Sequence, residues 1–249
     1  MNRNRLKLND AKTEFIIFGT PHVLKKVSTT SIQVGNSNIE ARTEVRNIGA
    51  MFDREMKMNT QVRNMCRGAW LNLYNIGKIR NYLNKEQTRC VVHAFVTSKL
   101  DSNNSLLGAI PSDQVKQLER IQNAAAKVIM RKKKHDRVTP CLEELHWLPI
   151  KSRITFKMLL LTFKAINNIG PVYLKDLFAT YHPARNLRSA SDHLRLIVPK
   201  TRLSTYGSRA FSANAAKEWN GLPMSIRSAK TVASFKSLLK THLFKRKEQ

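Results

Sequence analysis

Leu142-Glu143-Glu144-Leu145-His146-Trp147-Leu148-Pro149-Ile150 opens the longest apolar-rich helical pattern in the chain, which continues as KSRITFKMLLLTFKAINNI from Lys151 to Ile169. Pro149 suits a first helical position, because its ring already holds a helical φ and a first-turn N–H has no partner inside the helix. Apolar residues then recur at Ile150, Ile154, Met158, Leu161 and Ala165, with a second row at Phe156, Leu159, Leu160, Phe163 and Ile166. Only Arg153, Lys157 and Lys164 make a charged strip. A helix apolar over most of its circumference is covered by neighbours, so the spacing predicts a central helix inside a helical domain. Asn167-Asn168 and Gly170-Pro171 supply its stop.

The neighbours are shorter amphipathic helices. Met58, Val62, Met65, Ala69, Leu73 and Ile76 follow three- and four-residue steps, with Arg63 and Arg67 off that stripe. A second helix is predicted over Lys85 to Ser98, with Cys90, Val91, Ala94 and Phe95 facing inward. Pro111-Ser112-Asp113 starts a third, Ser112 acting as its N-cap. Its inward row is Val115, Leu118, Gln122, Ala125 and Ile129, while Lys116, Arg120, Lys127, Arg131 and Lys134 line another face. Further on, Val172 to Phe178 reads as a short helix and Leu194 to Val198 as a strand. Helices are expected over Thr205 to Trp219 and over Thr231 to Phe244, the last with Val232, Phe235, Leu238, Leu239 and His242 inward.

The N-terminal part differs. Arg5 to Asn9 reads as the last turn of a helix, and Thr13 to Thr20 as a strand closed by Gly19 and Pro21. Ser31 to Val34 and Ile39 to Arg42 flank Gly35-Asn36-Ser37-Asn38, a hairpin signal. Val45 to Phe52 gives another short strand containing Gly49. A sheet this small with one helix stub is a poor domain alone, and it reads as the edge of a larger α/β domain. The fold class expected is therefore α+β and predominantly α-helical: a small antiparallel sheet, then helical regions. The divisions expected are 1–54, 55–135 and 136–249.

Charge sets the class of partner. Lys and Arg number 44 against 17 Asp and Glu, a net charge of +27, with the larger excess after residue 125. A field of that sign and size favours polyanions, nucleic acid first and an anionic membrane surface second. The three cysteines, Cys66, Cys90 and Cys141, lie far apart with no zinc-knuckle spacing, which fits a reducing intracellular compartment, nuclear or cytoplasmic. The longest apolar run, Met158 to Leu161, is too short to span a bilayer, so no membrane partner is expected. No phosphate loop, nucleophile elbow or HExxH pattern occurs, so no unrelated class of enzyme is indicated.

Several segments together resemble the reverse transcriptases of non-LTR retrotransposons (long interspersed elements, LINE, jockey-like group). Leu6-Lys7-Leu8-Asn9-Asp10-Ala11-Lys12-Thr13-Glu14-Phe15 resembles the fourth polymerase motif. Val45-Arg46-Asn47-Ile48-Gly49-Ala50-Met51-Phe52-Asp53 resembles the fifth, the primer-grip hairpin. Ser98-Lys99-Leu100-Asp101 and Asn104-Ser105-Leu106-Leu107 match the thumb-like region. Leu145 to Ile150, Tyr206-Gly207-Ser208-Arg209-Ala210-Phe211-Ser212, Trp219-Asn220-Gly221-Leu222-Pro223 and Phe235 to Phe244 match the C-terminal run. The resemblance covers nearly the whole chain and implies a palm edge over 1–54, a helical thumb over 55–135 and a basic C-terminal domain over 136–249.

The family's palm carboxylates, an early Asp and a Tyr-x-Asp-Asp turn, precede the fourth motif. Neither a Tyr-x-Asp-Asp nor an adjacent Asp pair occurs here. The resemblance thus implies a truncated RNA-directed DNA polymerase, inactive alone, with Met1 falling inside the fourth motif's helix. The Mg²⁺ that activates the primer hydroxyl in the full-length enzyme has no motif in this chain, and no metal ligand or cofactor is expected. Lys12 is the one candidate for a catalytic side chain, matching the fourth-motif lysine. Gly49 would let a primer strand approach. The nucleic-acid-binding set is completed by Arg63, Arg67, Lys116, Arg120, Lys127, Arg131, Lys132, Lys133 and Lys134, reaching RNA, an RNA–DNA hybrid or DNA. A full-length copy's palm is a further partner. The alternatives are a stand-alone basic nucleic-acid-binding protein and a protein-interaction remnant.

Overall fold

Asn9 and residues 12–181, 194–203 and 206–245 are described by the computed structural model. Most of the helix stub expected over Arg5 to Asn9 lies outside them, as do parts of the loop before Leu194. Helix dominates, with a few short strands near the N-terminus. The chain divides into two compact units, Met1–Asn64 and Met65–Gln249.

In the first unit, β1 (Phe15–Ile16), β3 (Ser37–Arg42) and β2 (Ser31–Val34) form a three-stranded sheet in that order. The sheet is mixed rather than antiparallel as expected, because β1 runs parallel to β3. The stretch after β1 makes a short helix, α1 (Pro21–Leu24), and a crossover of this kind returns the chain in the same direction. β2 and β3 pair antiparallel with Val34 opposite Ser37, and Gly35 takes φ 59° in the two-residue turn. The stretch Val45 to Phe52, read as one strand from its pattern and as a hairpin from the resemblance, is a hairpin of β4 (Glu44–Asn47) and β5 (Ala50–Asp53), with Asn47 opposite Ala50. Ile48 and Gly49 form its turn at φ 45° and 80°. Two positive φ values define a turn whose twist matches the strands. The Asp53 carboxylate then accepts the backbone N–H groups of Glu55, Lys57 and Met58. It shapes the bend that ends the hairpin and starts α2 (Asn59–Ile79), a helix that begins in this unit and ends in the next.

Met58, Val62, Met65, Ala69, Leu73 and Ile76 are all buried, as their spacing required. The next helical stretch departs from expectation. α3 (Lys85–Val92), a π turn (His93–Thr97) and α4 (Ser98–Asp101) bury Thr88, Val92, Val96, Thr97 and Leu100, whereas Cys90, Ala94 and Phe95 are exposed. Apolar residues occur on two faces here, and the wider π turn shifts the phase. α5 (Ser112–Ile129) has Pro111 at its N-cap with no side-chain cap, so Ser112 is already helical.

α6 (Thr139–Glu144) leads to α7 (Ile150–Ile166), the central helix, with Pro149 at its N-cap and φ −55°. α7 buries Ile150, Ile154, Met158, Leu159, Leu160, Thr162, Phe163 and Ala165. It packs against α5, α8 (Val172–Lys175), α9 (Phe211–Asn220) and α11 (Val232–Lys245). The Phe163 and Phe235 rings stack at 4.2 Å, and Trp219 lies 5.9 Å from Phe235. Leu196, Leu222, Ile226, Leu239 and Leu243 complete this core, Ile226 coming from α10 (Met224–Arg227). Leu238 is 42% exposed, so the inward row of α11 runs Phe235, Leu239, Leu243. The strand expected over Leu194 to Val198 is one bridge, Leu196 to Thr180. The Asn220 amide replaces a second strand, accepting from Leu196 N–H at 2.9 Å and donating to its carbonyl at 2.8 Å.

Candidate nucleic-acid interface

α5 is built from two opposed faces. Gln114, Leu118, Ile121, Gln122, Ala125, Ala126 and Ile129 are buried, and Gln122 donates to the Leu148 carbonyl at 2.7 Å. At 3.6 residues per turn, Lys116, Arg120 and Lys127 fall within about 40° of one another on the opposite side. Lys116 and Arg120 are exposed. Lys132, Lys133 and Lys134 follow the helix in an exposed loop. Among the described residues none of these cations' charged ends pairs with a carboxylate, though the Lys133 backbone N–H donates to Asp136 at 2.8 Å. The ion pairs lie elsewhere, as between Lys85 and Glu144 or Arg89 and Glu86.

The C-terminal end of α5 is held by its own cations. Arg131 has φ 52°; Lys132 N–H donates to the Lys127 carbonyl at 3.0 Å and Arg131 N–H to Val128 at 3.5 Å. This is a Schellman ending with arginine where glycine is usual. Lys127 Nζ donates to the Lys134 carbonyl at 2.6 Å, closing the loop. Arg131 reaches the Leu83 carbonyl at 3.4 Å. Beneath it, the buried Arg80 guanidinium donates to the carbonyls of Val128 at 2.8 Å, Ile129 at 3.0 Å and Leu83 at 2.7 Å. Val128 and Ile129 lie in the last turn of α5, at the negative end of its dipole, where the guanidinium adds a donor for each carbonyl. Burial, and then the Arg131 charge, lower the Arg80 pKa from its ordinary value. Lys127 and Arg131 are therefore partly committed to the fold, while Lys116, Arg120, Lys132, Lys133 and Lys134 present free side chains to solvent. Arg80 escapes a sequence reading, since its carbonyl partners on α5 are 48 and 49 residues away.

The remaining candidates stand apart. Arg63 and Arg67 are exposed one turn apart on α2. Gly49 is at the exposed tip of the β4–β5 turn. Lys12 is exposed and lines a cavity of about 440 Å³ in the first unit with Glu14, Phe18, Arg46, Asn47 and Phe52. Among the described residues no group of three or more His, Cys, Asp or Glu side chains could hold a metal ion. Among them also, no helix is long and apolar enough to cross a membrane. Comparison with protein-family models, curated proteins and solved structures returns no match.

Proposed function

We propose that this chain binds RNA, an RNA–DNA hybrid or DNA through the phosphate backbone, as a segment that resembles the C-terminal part of a non-LTR reverse transcriptase. The observation that carries the reading is the α5 face and the loop after it. Lys116, Arg120 and Lys132 to Lys134 lie along it with no side-chain ion pair among the described residues, on a chain of net charge +27. Cations left unpaired repel one another, and a polyanion relieves that repulsion by releasing its own counterions. Lysines and arginines on a solvent face meet phosphates rather than base edges, so binding positions a duplex without reading its sequence. An A-form hybrid fits this mode, being recognised through shape, phosphates and 2′-hydroxyls. The resemblance to the family's thumb-like segments supports the same reading.

The test has two arms. Purified protein is titrated with hybrids of unrelated sequence between 50 and 200 mM salt, a range over which several phosphate contacts cost about 10³-fold or more in affinity. Affinity should fall steeply with salt and vary little with sequence. Salt-insensitive binding, or none, removes the proposal and favours a protein-interaction role. In the second arm, dNTP incorporation on a primed RNA template with Mg²⁺ or Mn²⁺ should stay at the buffer control. Incorporation above it would show that this chain is a polymerase by itself.

A further inference from the structure

The solvent side of α2 carries aromatic and apolar side chains where a helix facing only water would carry charge. Met65, Ala69, Leu73 and Ile76 form its buried row in the second unit. At 3.6 residues per turn, Arg67, Trp70, Leu71, Tyr74 and Lys78 fall within about 100° of one another, away from that row. All five are exposed. Of the three tryptophans, Trp147 and Trp219 are buried, whereas Trp70 is 45% exposed. Tyr74 is 64% exposed even with Lys78 Nζ 4.5 Å from its ring centre, so a cation is already held beside the ring. The 3₁₀ turn that continues the helix, Arg80–Tyr82, ends on Tyr82, which is 87% exposed. The next residue, Leu83, accepts from Arg131 at its carbonyl, so the aromatic row ends beside the Arg131 turn and the lysines after it. From Asn59 to Leu83 the sequence has no Asp or Glu. Among the described residues neither Arg67 nor Lys78 is in an ion pair.

We propose that this face of α2 is a stacking platform for an unpaired strand of RNA or DNA. A cluster of exposed rings is an interaction surface, and rings favour a flat partner that stacks on them. The flanking cations, with no carboxylate on the helix to balance them, favour a partner that is anionic. A nucleotide is both, with a base face and a phosphate in each unit. In a duplex, pairing and stacking cover the base faces, so exposed rings select a single strand. Trp70 and Tyr74 are about 6 Å apart along the helix axis, wider than the roughly 3.4 Å rise of a stacked strand. Each ring therefore takes a base from a strand drawn out of its own stack, while Arg67 and Lys78 meet the phosphates. Every base has a face that stacks, so this site reads no sequence. The inference rests on the nucleic-acid reading above and divides it: duplex phosphates on α5, an unpaired strand on α2.

The full chain is titrated at low salt with the single strand UUUUUUUU, with inorganic polyphosphate and with a blunt RNA–DNA hybrid. The strand should quench tryptophan emission, because Trp70 is the exposed tryptophan; polyphosphate, which has no bases, should not. Affinity is read separately from the anisotropy of an end-labelled strand. W70A/Y74A should weaken the strand at least about tenfold, the worth of one stacked base, and leave hybrid binding and the melting temperature unchanged. W70F/Y74F keeps the rings and should keep the affinity. R120Q/K132Q/K133Q should weaken the hybrid, so a failure of the α5 reading and a failure of this one are told apart. An unquenched strand, equal strand affinity for the parent and W70A/Y74A, or an equal loss on the hybrid would overturn the proposal. Quenching by phosphatidylserine vesicles but not by the strand would also overturn it and assign the face to a membrane surface.

Discussion

The strand-bearing unit and the helical unit bury their apolar residues to different degrees. In the five strands only Val45 and Ala50 are buried, while Phe18, Val23 and Ile32 are substantially exposed. In the helical unit α7 alone buries eight residues, and Trp219, Phe235 and Leu239 around it have no measurable exposure. Strands of two to six residues cannot cover both faces of a sheet, whereas short helices crossing one apolar helix can. Since stability follows buried apolar area, protection from hydrogen exchange should be low through 12–54 and high through Ile150 to Ile166. Equal protection in the two would break the contrast.

The largest expected effect lies in the better-packed region. F235A removes the ring stacked on Phe163 and beside Trp219. A fully buried phenylalanine lost this way costs about 3–5 kcal/mol, read as a fall in the helical unit's melting temperature. Loss of less than about 1 kcal/mol would mean that this cluster is not the core.

R80M comes next. It takes the guanidinium away from the carbonyls of Val128, Ile129 and Leu83, of which Val128 keeps the Arg131 N–H and Leu83 the Arg131 side chain, and the lost charge-assisted hydrogen bonds put the cost at about 2–3 kcal/mol. The lost exchange protection should be confined to the C-terminal turn of α5 and the Leu83 loop. Uniform loss over the unit would contradict a capping role.

How much of this was legible follows from the same residues. The buried row of α2 and the extent of α7 were readable because periodicity records a single buried face. The inward face of the Lys85 to Asp101 stretch was not, since a π turn has no sequence period of its own. Lys127 and Arg131 looked equivalent to Arg120, yet the chain's turn at Arg131 folds Lys127 onto the Lys134 carbonyl. Arg80 carried no local signal, as its partners on α5 are brought to it only by the folded chain. The β4–β5 turn left no local turn signal, because Ile48 stands where Asn is favoured, and only the resemblance to the primer-grip hairpin implied a hairpin there.

That residue gives the smallest effect. A β-branched side chain at φ 45° is strained, and Ile48 is 90% exposed, so packing does not repay it. I48N should stabilise the first unit by about 1 kcal/mol, because Asn-Gly suits two positive φ values. Slower exchange in β4 and β5, with α7 unchanged, is the expected readout. No change would mean that the turn is unstrained.

The central claim is that cations left free by the fold, rather than basic residues in general, contact phosphates. R120Q/K132Q/K133Q removes three such charges, while glutamine keeps good helix propensity. Binding of an RNA–DNA hybrid is measured against salt for this variant and the parent. The slope of log K against log salt should flatten by about 2–3 units, since each phosphate contact contributes roughly 0.7–0.9, and the melting temperature should hold. An unchanged slope and affinity would contradict the account and leave the α5 face as solvated surface.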